Sequence, residues 1–217
     1  MALFQLTALG IFYVLFIGRS VYLHRRGERV MVIGRGKQGG RAFLERLFLA
    51  GLLVWSLEIV LRALRSGISL VPTLLGTPRF ESRVADALGA ATIVAGLALF
   101  VAALWSFGRS WRIGIDHDRP GALVTGGVFA LTRNPIFLFL DFYFTGAWLL
   151  QRDIFFLFFA VAAIGGIHYQ ILQEERFLST RYGASYRRYV QAVPRYVKCP
   201  GRKSLYRKGN PNGTRSA

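Results

Sequence analysis

Five apolar runs, each separated from the next by charged or basic residues, constrain this chain more than any other feature. Residues 2–18 (ALFQLTALGIFYVLFIG) and 87–107 (ALGAATIVAGLALFVAALWSF) contain no charge. Residues 42–61 carry Glu45, Arg46 and Glu58, 135–150 carry only Asp141, and 154–172 carry no formal charge. About 20 apolar residues of helix cross the ~30 Å hydrocarbon core of a bilayer. Three runs meet that length, and 2–18 and 135–150 fall a little short. The pattern predicts an all-α integral membrane protein with five transmembrane helices. Only Gln151-Arg152-Asp153 separates the last two, so they form a tight helical hairpin. The residues beyond it are expected to form a C-terminal amphipathic helix at the cytoplasmic surface.

The first run has no Lys or Arg ahead of its apolar core and no small-x-small site after it, so it reads as a retained helix rather than a cleaved signal. With the N-terminus outside, 23 of the 28 Lys and Arg fall on the inner side of the membrane. That asymmetry predicts an N-out, C-in multi-pass protein, with a bacterial inner membrane as the expected location. The net charge of +17 is met by anionic headgroups, because the basic residues bracket apolar spans. Nucleic acid is therefore not an expected partner. Cys199 is the only cysteine, and His24, His117 and His168 are scattered, so no metal site is expected.

Residues 30–39 (VMVIGRGKQG) place Gly34, Gly36 and Gly39 in a dinucleotide-like spacing, with Glu58 about twenty residues on. That fingerprint needs a parallel sheet behind it, and here the next segment is a membrane helix. A basic loop accounts for the glycines. The chain divides into a three-helix membrane scaffold (1–107), a hairpin-containing core (108–200) and a polar basic tail (201–217). In the scaffold, the small residues of 87–107, Gly89 and Gly96 among them, allow close helix approach.

The chemistry concentrates in the core. Pro135 suits the first turn of a helix, where its missing N–H would be unpaired anyway. Thr132-Arg133-Asn134 stands just before that turn, and Glu174-Glu175-Arg176 stands at the far end of the hairpin's second arm. The two arms bring these groups together. A helix N-terminus with an arginine favours an anion, carboxylate or phosphate. The carboxylates suit ribose hydroxyls, an ammonium or the arginine itself. Tyr182, Tyr186 and Tyr189 follow, interleaved with Arg181, Arg187 and Arg188, and can serve an aromatic belt or face a cation. Asp141, about two turns into the apolar helix, is a functional candidate because acids are rare at membrane depth. It could orient an acceptor, or pair with Arg112, Tyr143 or Tyr169. Glu58 is a weaker functional candidate, and His168 reads as a polar residue satisfied within the hairpin.

These residues carry a resemblance. Thr125-Gly126-Gly127-Val128-Phe129, then Arg133-Asn134-Pro135-Ile136-Phe137, then Glu174-Glu175-Arg176-Phe177-Leu178 with Tyr182-Gly183, Tyr186, Tyr189 and Pro194 follow one another in register. In this, residues 106–197 resemble the isoprenylcysteine carboxyl methyltransferase family and its phospholipid methyltransferase relatives, which are membrane-embedded. The resemblance implies a methyltransferase that uses S-adenosyl-L-methionine, taken from the cytosol. The acceptor would be lipophilic or small and apolar, entering from the bilayer. It implies cofactor binding by Arg133, Asn134, Pro135, Phe137, Glu174, Glu175, Tyr182, Tyr186 and Tyr189, with Arg176 and Arg195 as weaker candidates. Arg133, Asn134, Glu175 and Asp141 are the residues expected to bear on catalysis. Asn134 stands where the family has histidine, and Phe129 and Phe137 where it has tyrosine. Asparagine donates and accepts hydrogen bonds but cannot act as a general base. A nicotinamide-dependent membrane reductase of the sterol type, or a non-catalytic protein that keeps the fold, are the competing readings. The acceptor stays open between a phospholipid, an isoprenoid or quinone-like lipid and a small thiol.

Overall fold

The computed structural model describes residues 1–27, 40–64, 68–78, 80–108 and 123–197, with 40–45 described by their backbone alone. The glycine-rich stretch 30–39, Arg112, Cys199 and the tail 201–217 lie outside the described residues. Among those described there is no strand. The helices are α1 (Ala2–Arg25), α2 (Gly40–Ala63), a single turn α3 (Thr73–Gly76), α4 (Arg83–Phe107), α5 (Pro135–Gln151) and α6 (Ile154–Ala192), with a 3-10 turn at Gly127–Ala130 before α5.

Each apolar run has become a helix. Three of them, α1, α4 and α6, are long and apolar enough to cross a membrane, and α5 is apolar but shorter, with 17 residues. At 1.5 Å per residue α5 is about 25 Å long. Large apolar side chains cover the outside, with Leu3 75%, Trp105 83% and Phe158 73% exposed. An apolar exterior of this kind belongs in lipid. The interior is aromatic: Phe12, Trp55, Phe100, Phe139, Tyr143, Phe144 and Phe156 share one buried cluster. Phe100 and Phe139 stack with centroids 4.6 Å apart.

The closest packing is between α4 and α5, and glycines make it possible. A Cβ on Gly146 would sit 2.7 Å from the Gly89 carbonyl oxygen, and one on Gly89 2.9 Å from that of Gly146. Gly96 lies against the Phe139 carbonyl in the same way, at 3.2 Å. The small residues of α4 therefore do what their composition suggests: in lipid, helices hold together by close packing rather than by the hydrophobic effect.

The hairpin forms as expected from its short link. Arg152 takes the left-handed conformation (φ 54°) and caps α5 by donating its N–H to the Trp148 carbonyl at 2.6 Å. Asp153 then caps α6, its Oδ1 accepting from the Phe156 N–H at 2.8 Å. The second arm is longer than the apolar run that predicts it. The helix does not stop at residue 172; α6 runs on to a kink at Gly183 (φ 48°, ψ −118°), beyond which a second, shorter helical piece continues to Ala192. Nothing between 173 and 182 breaks the helix, and Gly183 is the first residue that can adopt a left-handed φ at little cost. The polar end of α6 is thus rigidly continuous with its apolar part, and only the last turns, after Gly183, change direction.

Candidate functional site

At the open end of the hairpin, opposite the Arg152 link, three segments converge. These are the Thr132-Arg133-Asn134 approach to α5, the polar stretch of α6 around Glu175, and a strap of residues 193–197 that follows α6. Val193 leaves α6 in extended conformation and buries itself with Phe129, Tyr186 and Tyr189. The strap then runs beside the N-terminus of α5. The Arg133 backbone N–H donates to the Pro194 carbonyl at 3.1 Å. The Arg195 carbonyl accepts from both Thr132 Oγ1 and Asn134 Nδ2, each at 3.1 Å. Thr132 Oγ1 in turn accepts from the Asn134 N–H at 3.2 Å. Pro135, at the first turn of α5, is fully buried beneath this layer.

Side chains complete the mouth. Glu175 is gripped from two directions: Arg195 binds it bidentately (Nε–Oε1 3.1 Å, Nη2–Oε2 2.7 Å) and Arg133 Nη2 lies 3.2 Å from Oε1. Arg133 is only 9% exposed and Glu175 13%. Arg133 also hydrogen-bonds the Tyr186 hydroxyl. Its Nε, however, is buried with no hydrogen-bond partner among the described residues. A buried guanidinium N–H left unpaired costs free energy, and an incoming anion would satisfy it.

The tyrosines wall one side. Tyr189 donates its hydroxyl to the Phe129 carbonyl at 2.7 Å, and Tyr186 packs against Tyr189 in the same small cluster, with Tyr182 at its edge. Burial, with the Glu175 and Glu174 charges adding to it, pushes the Tyr186 phenol up to about 12. Burial does the same for Tyr189, also to about 12. Both are neutral hydrogen-bonding groups throughout the physiological range.

Of the residues singled out from sequence, Arg133, Asn134, Pro135, Glu174, Glu175, Tyr182, Tyr186 and Tyr189 stand on the elements that meet at this mouth. Phe137 instead packs against the aromatic core of the bundle. The Asn134 amide nitrogen is already engaged by the strap. Asp141 lies deeper on α5 and makes no hydrogen bond to Tyr143 or Tyr169; its Oδ1 is buried without a partner among the described residues. His168 pairs with Tyr196, Nδ1 to Oη 2.5 Å. Arg195 was visible only as a weak candidate and Tyr196 not at all. The Val-Pro-Arg-Tyr that follows α6 has no periodicity to reveal that it folds back.

Glu58 belongs elsewhere. At the link end of the hairpin it is fully buried and accepts from Arg62 Nε (2.7 Å), Ser69 Oγ (2.7 Å) and the Leu70 N–H (2.9 Å). Arg62 continues to Asp153 Oδ2 (2.5 Å) and Gln151 Oε1 (3.0 Å). This cluster ties α2 to the hairpin link and has every buried side-chain atom paired, so its role is structural. Among the described residues no group of His, Cys, Asp and Glu could hold a metal ion.

Comparison with known proteins adds one finding: the family model described as phospholipid methyltransferase matches residues 84–185. The matched segment covers α4, α5 and α6 to just beyond Gly183, and stops short of Tyr186, Tyr189 and the strap. No curated protein matches the chain.

Proposed function

We propose, from the match of residues 84–185 to the phospholipid methyltransferase family model, that the chain is a membrane methyltransferase that moves a methyl group from S-adenosyl-L-methionine to a lipophilic or small apolar acceptor. The observation that carries this reading is Arg133: a buried guanidinium at the start of α5, tethered to Glu175 and Tyr186, with one N–H left over for a ligand.

The residues fit that cofactor. Arg133 and the first turn of α5 suit its carboxylate. Glu174 and Glu175 suit its ammonium and ribose hydroxyls, and Tyr182 and Tyr186 offer aromatic faces to a cation. When bound, S-adenosyl-L-methionine supplies an electrophilic methyl on a sulfonium. What the protein contributes is placement: a mouth walled by buried tyrosines excludes water, and fixed partners align donor and acceptor. Asn134 contributes through its hold on the strap. It cannot take a proton, so any base lies elsewhere. The excess of Lys and Arg on that side supports a cytosolic mouth, which would let the cofactor come from water and the acceptor from the bilayer.

Calorimetry on the purified protein tests the reading, with reduced nicotinamide cofactor run in parallel. Micromolar binding of S-adenosyl-L-methionine alone is expected. Binding of the nicotinamide instead would make the chain a reductase, and binding of neither would make it a non-catalytic member of the fold.

A further inference from the structure

A second orphaned guanidinium lies outside the mouth. Arg19, near the C-terminal end of α1, donates through Nη2 to the carbonyl of Gly108, the residue that caps α4. Its Nε is buried without a partner among the described residues. One turn on, the Tyr22 ring is faced by two cations. The guanidinium carbon of Arg19 lies 5.5 Å from the ring centroid, and that of Arg26 4.6 Å. Arg19 and Arg26 are two helical turns apart, so they share a face of α1. With one ring between them, their charges stand no farther apart than about one Debye length at ordinary salt. Arg25 adds a third, exposed cation. Among the described residues no carboxylate pairs with any of the three.

Three like charges this close repel one another unless something answers them. Helices α1 and α4 both end here, and each C-terminus brings about half a negative charge. That accounts for the bond to Gly108, yet together the two ends offset only about one of the three positive charges. The arginines are not free to splay apart. Leu23, beside Tyr22, is completely buried, and the last turn is closed by the Arg26 and Gly27 N–H groups donating to the Leu23 and His24 carbonyls, each at 3.0 Å. The cations are therefore held ready, and the partner they lack is an anion.

The surroundings say which anion. Towards its middle, α1 exposes Val14 and Ile17, and next to them Gly18, where a Cβ would meet nothing within 4 Å. On α4, Trp105 stands three residues before Gly108 and is largely exposed. Tryptophan is enriched where hydrocarbon meets headgroups. The cations thus stand where apolar surface ends, at the depth at which a phospholipid carries its phosphate. A free phosphate would have no use for the apolar surface beside them, whereas acyl chains would cover it.

We infer that Arg19, Tyr22 and Arg26 hold the phosphate of one anionic phospholipid, a resident lipid that braces α1 against α4. An anionic headgroup is preferred to a zwitterionic one because choline or ethanolamine would bring a fourth cation to the cluster. The site does not rest on the reading of the mouth, since α1 lies outside the matched residues 84–185. It adjoins the mouth through Phe107, next to Gly108, whose ring meets that of Phe129 with centroids 4.5 Å apart.

The test is native mass spectrometry of the full chain, equilibrated in detergent with equal amounts of phosphatidylglycerol and phosphatidylcholine. One phosphatidylglycerol per chain is expected to survive release from the detergent, with excess inorganic phosphate failing to displace it. A basic residue near an anionic surface is worth about 1 kcal/mol, so Arg26→Gln, at an exposed position, is expected to weaken retention about fivefold. Arg19→Gln combined with Arg26→Gln should weaken it about 30-fold. The control is Arg187→Gln with Arg188→Gln, which removes the same charge from exposed positions beyond Gly183 and should keep the lipid. Equal retention of the two lipids overturns the inference. So does an equal loss in the control, which would reduce the effect to the general attraction of a basic protein. Displacement by inorganic phosphate overturns the choice of a lipid. Thermal unfolding with each lipid added separately guards against a folding defect in the double variant: phosphatidylglycerol should raise the midpoint of the wild-type protein more than that of Arg26→Gln, and an equal rise in both overturns the inference as well.

Discussion

Arginine and carboxylates pin the hairpin at both ends, yet the two clusters are finished to different degrees. At the link, Arg62 joins Glu58, Asp153 and Gln151, both carboxylates are completely buried, and no buried side-chain atom of the cluster lacks a partner. At the mouth, Arg133 and Arg195 share Glu175, and Arg133 Nε is left over. The residue types are the same, so composition alone cannot separate a brace from a binding site. Satisfaction can. A network closed on itself has nothing to offer a ligand, and one with a buried unpaired donor has already met part of the desolvation cost of binding.

The sharpest way to break that contrast is at the link. Arg62→Ala leaves two buried carboxylates without their cation and is expected to destabilise the fold by about 3–5 kcal/mol, with S-adenosyl-L-methionine affinity unchanged. Chemical unfolding in detergent and calorimetry on the surviving folded protein read the two quantities separately. Equal damage to affinity would mean the link also serves the ligand. The reciprocal change, Arg133→Ala, is expected to weaken cofactor binding about 100-fold, the scale of a lost hydrogen bond between charged groups, and Glu175→Gln to do likewise. Unaltered affinity in either would place the mouth in the same class as the link.

Alkaline pH should loosen the mouth. Tyr186 and Tyr189 ionise near 10 when unfolded and near 12 in the fold. The folded state therefore holds protons that the unfolded chain has lost between those values, and stability falls as pH rises through that window. The neutral form is what the fold favours, so the contribution is complete below pH 10. An unfolding midpoint that stays flat from pH 10 to 12 would contradict the burial of these two phenols. The smallest effect belongs to Tyr189→Phe, which removes the bond to the Phe129 carbonyl and should cost about 1 kcal/mol, with the loss cancelling much of the alkaline sensitivity.

Local signals were readable from the sequence. Pro135 at the start of α5, the short link, and the glycines of α4 each act on immediate neighbours or on a helix face, and each did what its chemistry suggests. The partners of Glu58 divide the same way, since Arg62 is one turn away along α2 while Ser69 and Leu70 lie in the segment beyond it. The strap was not readable. Its bonds to Thr132 and Asn134 join residues about sixty positions apart, through backbone carbonyls that carry no side-chain signature. For the same reason Asp141 pointed to Arg112, Tyr143 or Tyr169 on sequence grounds, while the tyrosine that its charge acts on is Tyr196 of the strap. The continuation of α6 to Gly183 was missed because a switch from apolar to polar residues looks like a boundary, although nothing in it interrupts a helix.

The order of synthesis gives the strap a further consequence. Residues 193–197 leave the ribosome after every helix described here, so α1 to α6 can be inserted and packed while the mouth still lacks Arg195 and Tyr196. Throughout that interval Glu175 has Arg133 as its only cationic partner of the pair, and neither Asn134 nor His168 has its partner from the strap. The polypeptide therefore becomes a membrane protein before its mouth is complete, and a chain stopped at residue 192 would be inserted and helical, with Glu175 held by Arg133 alone.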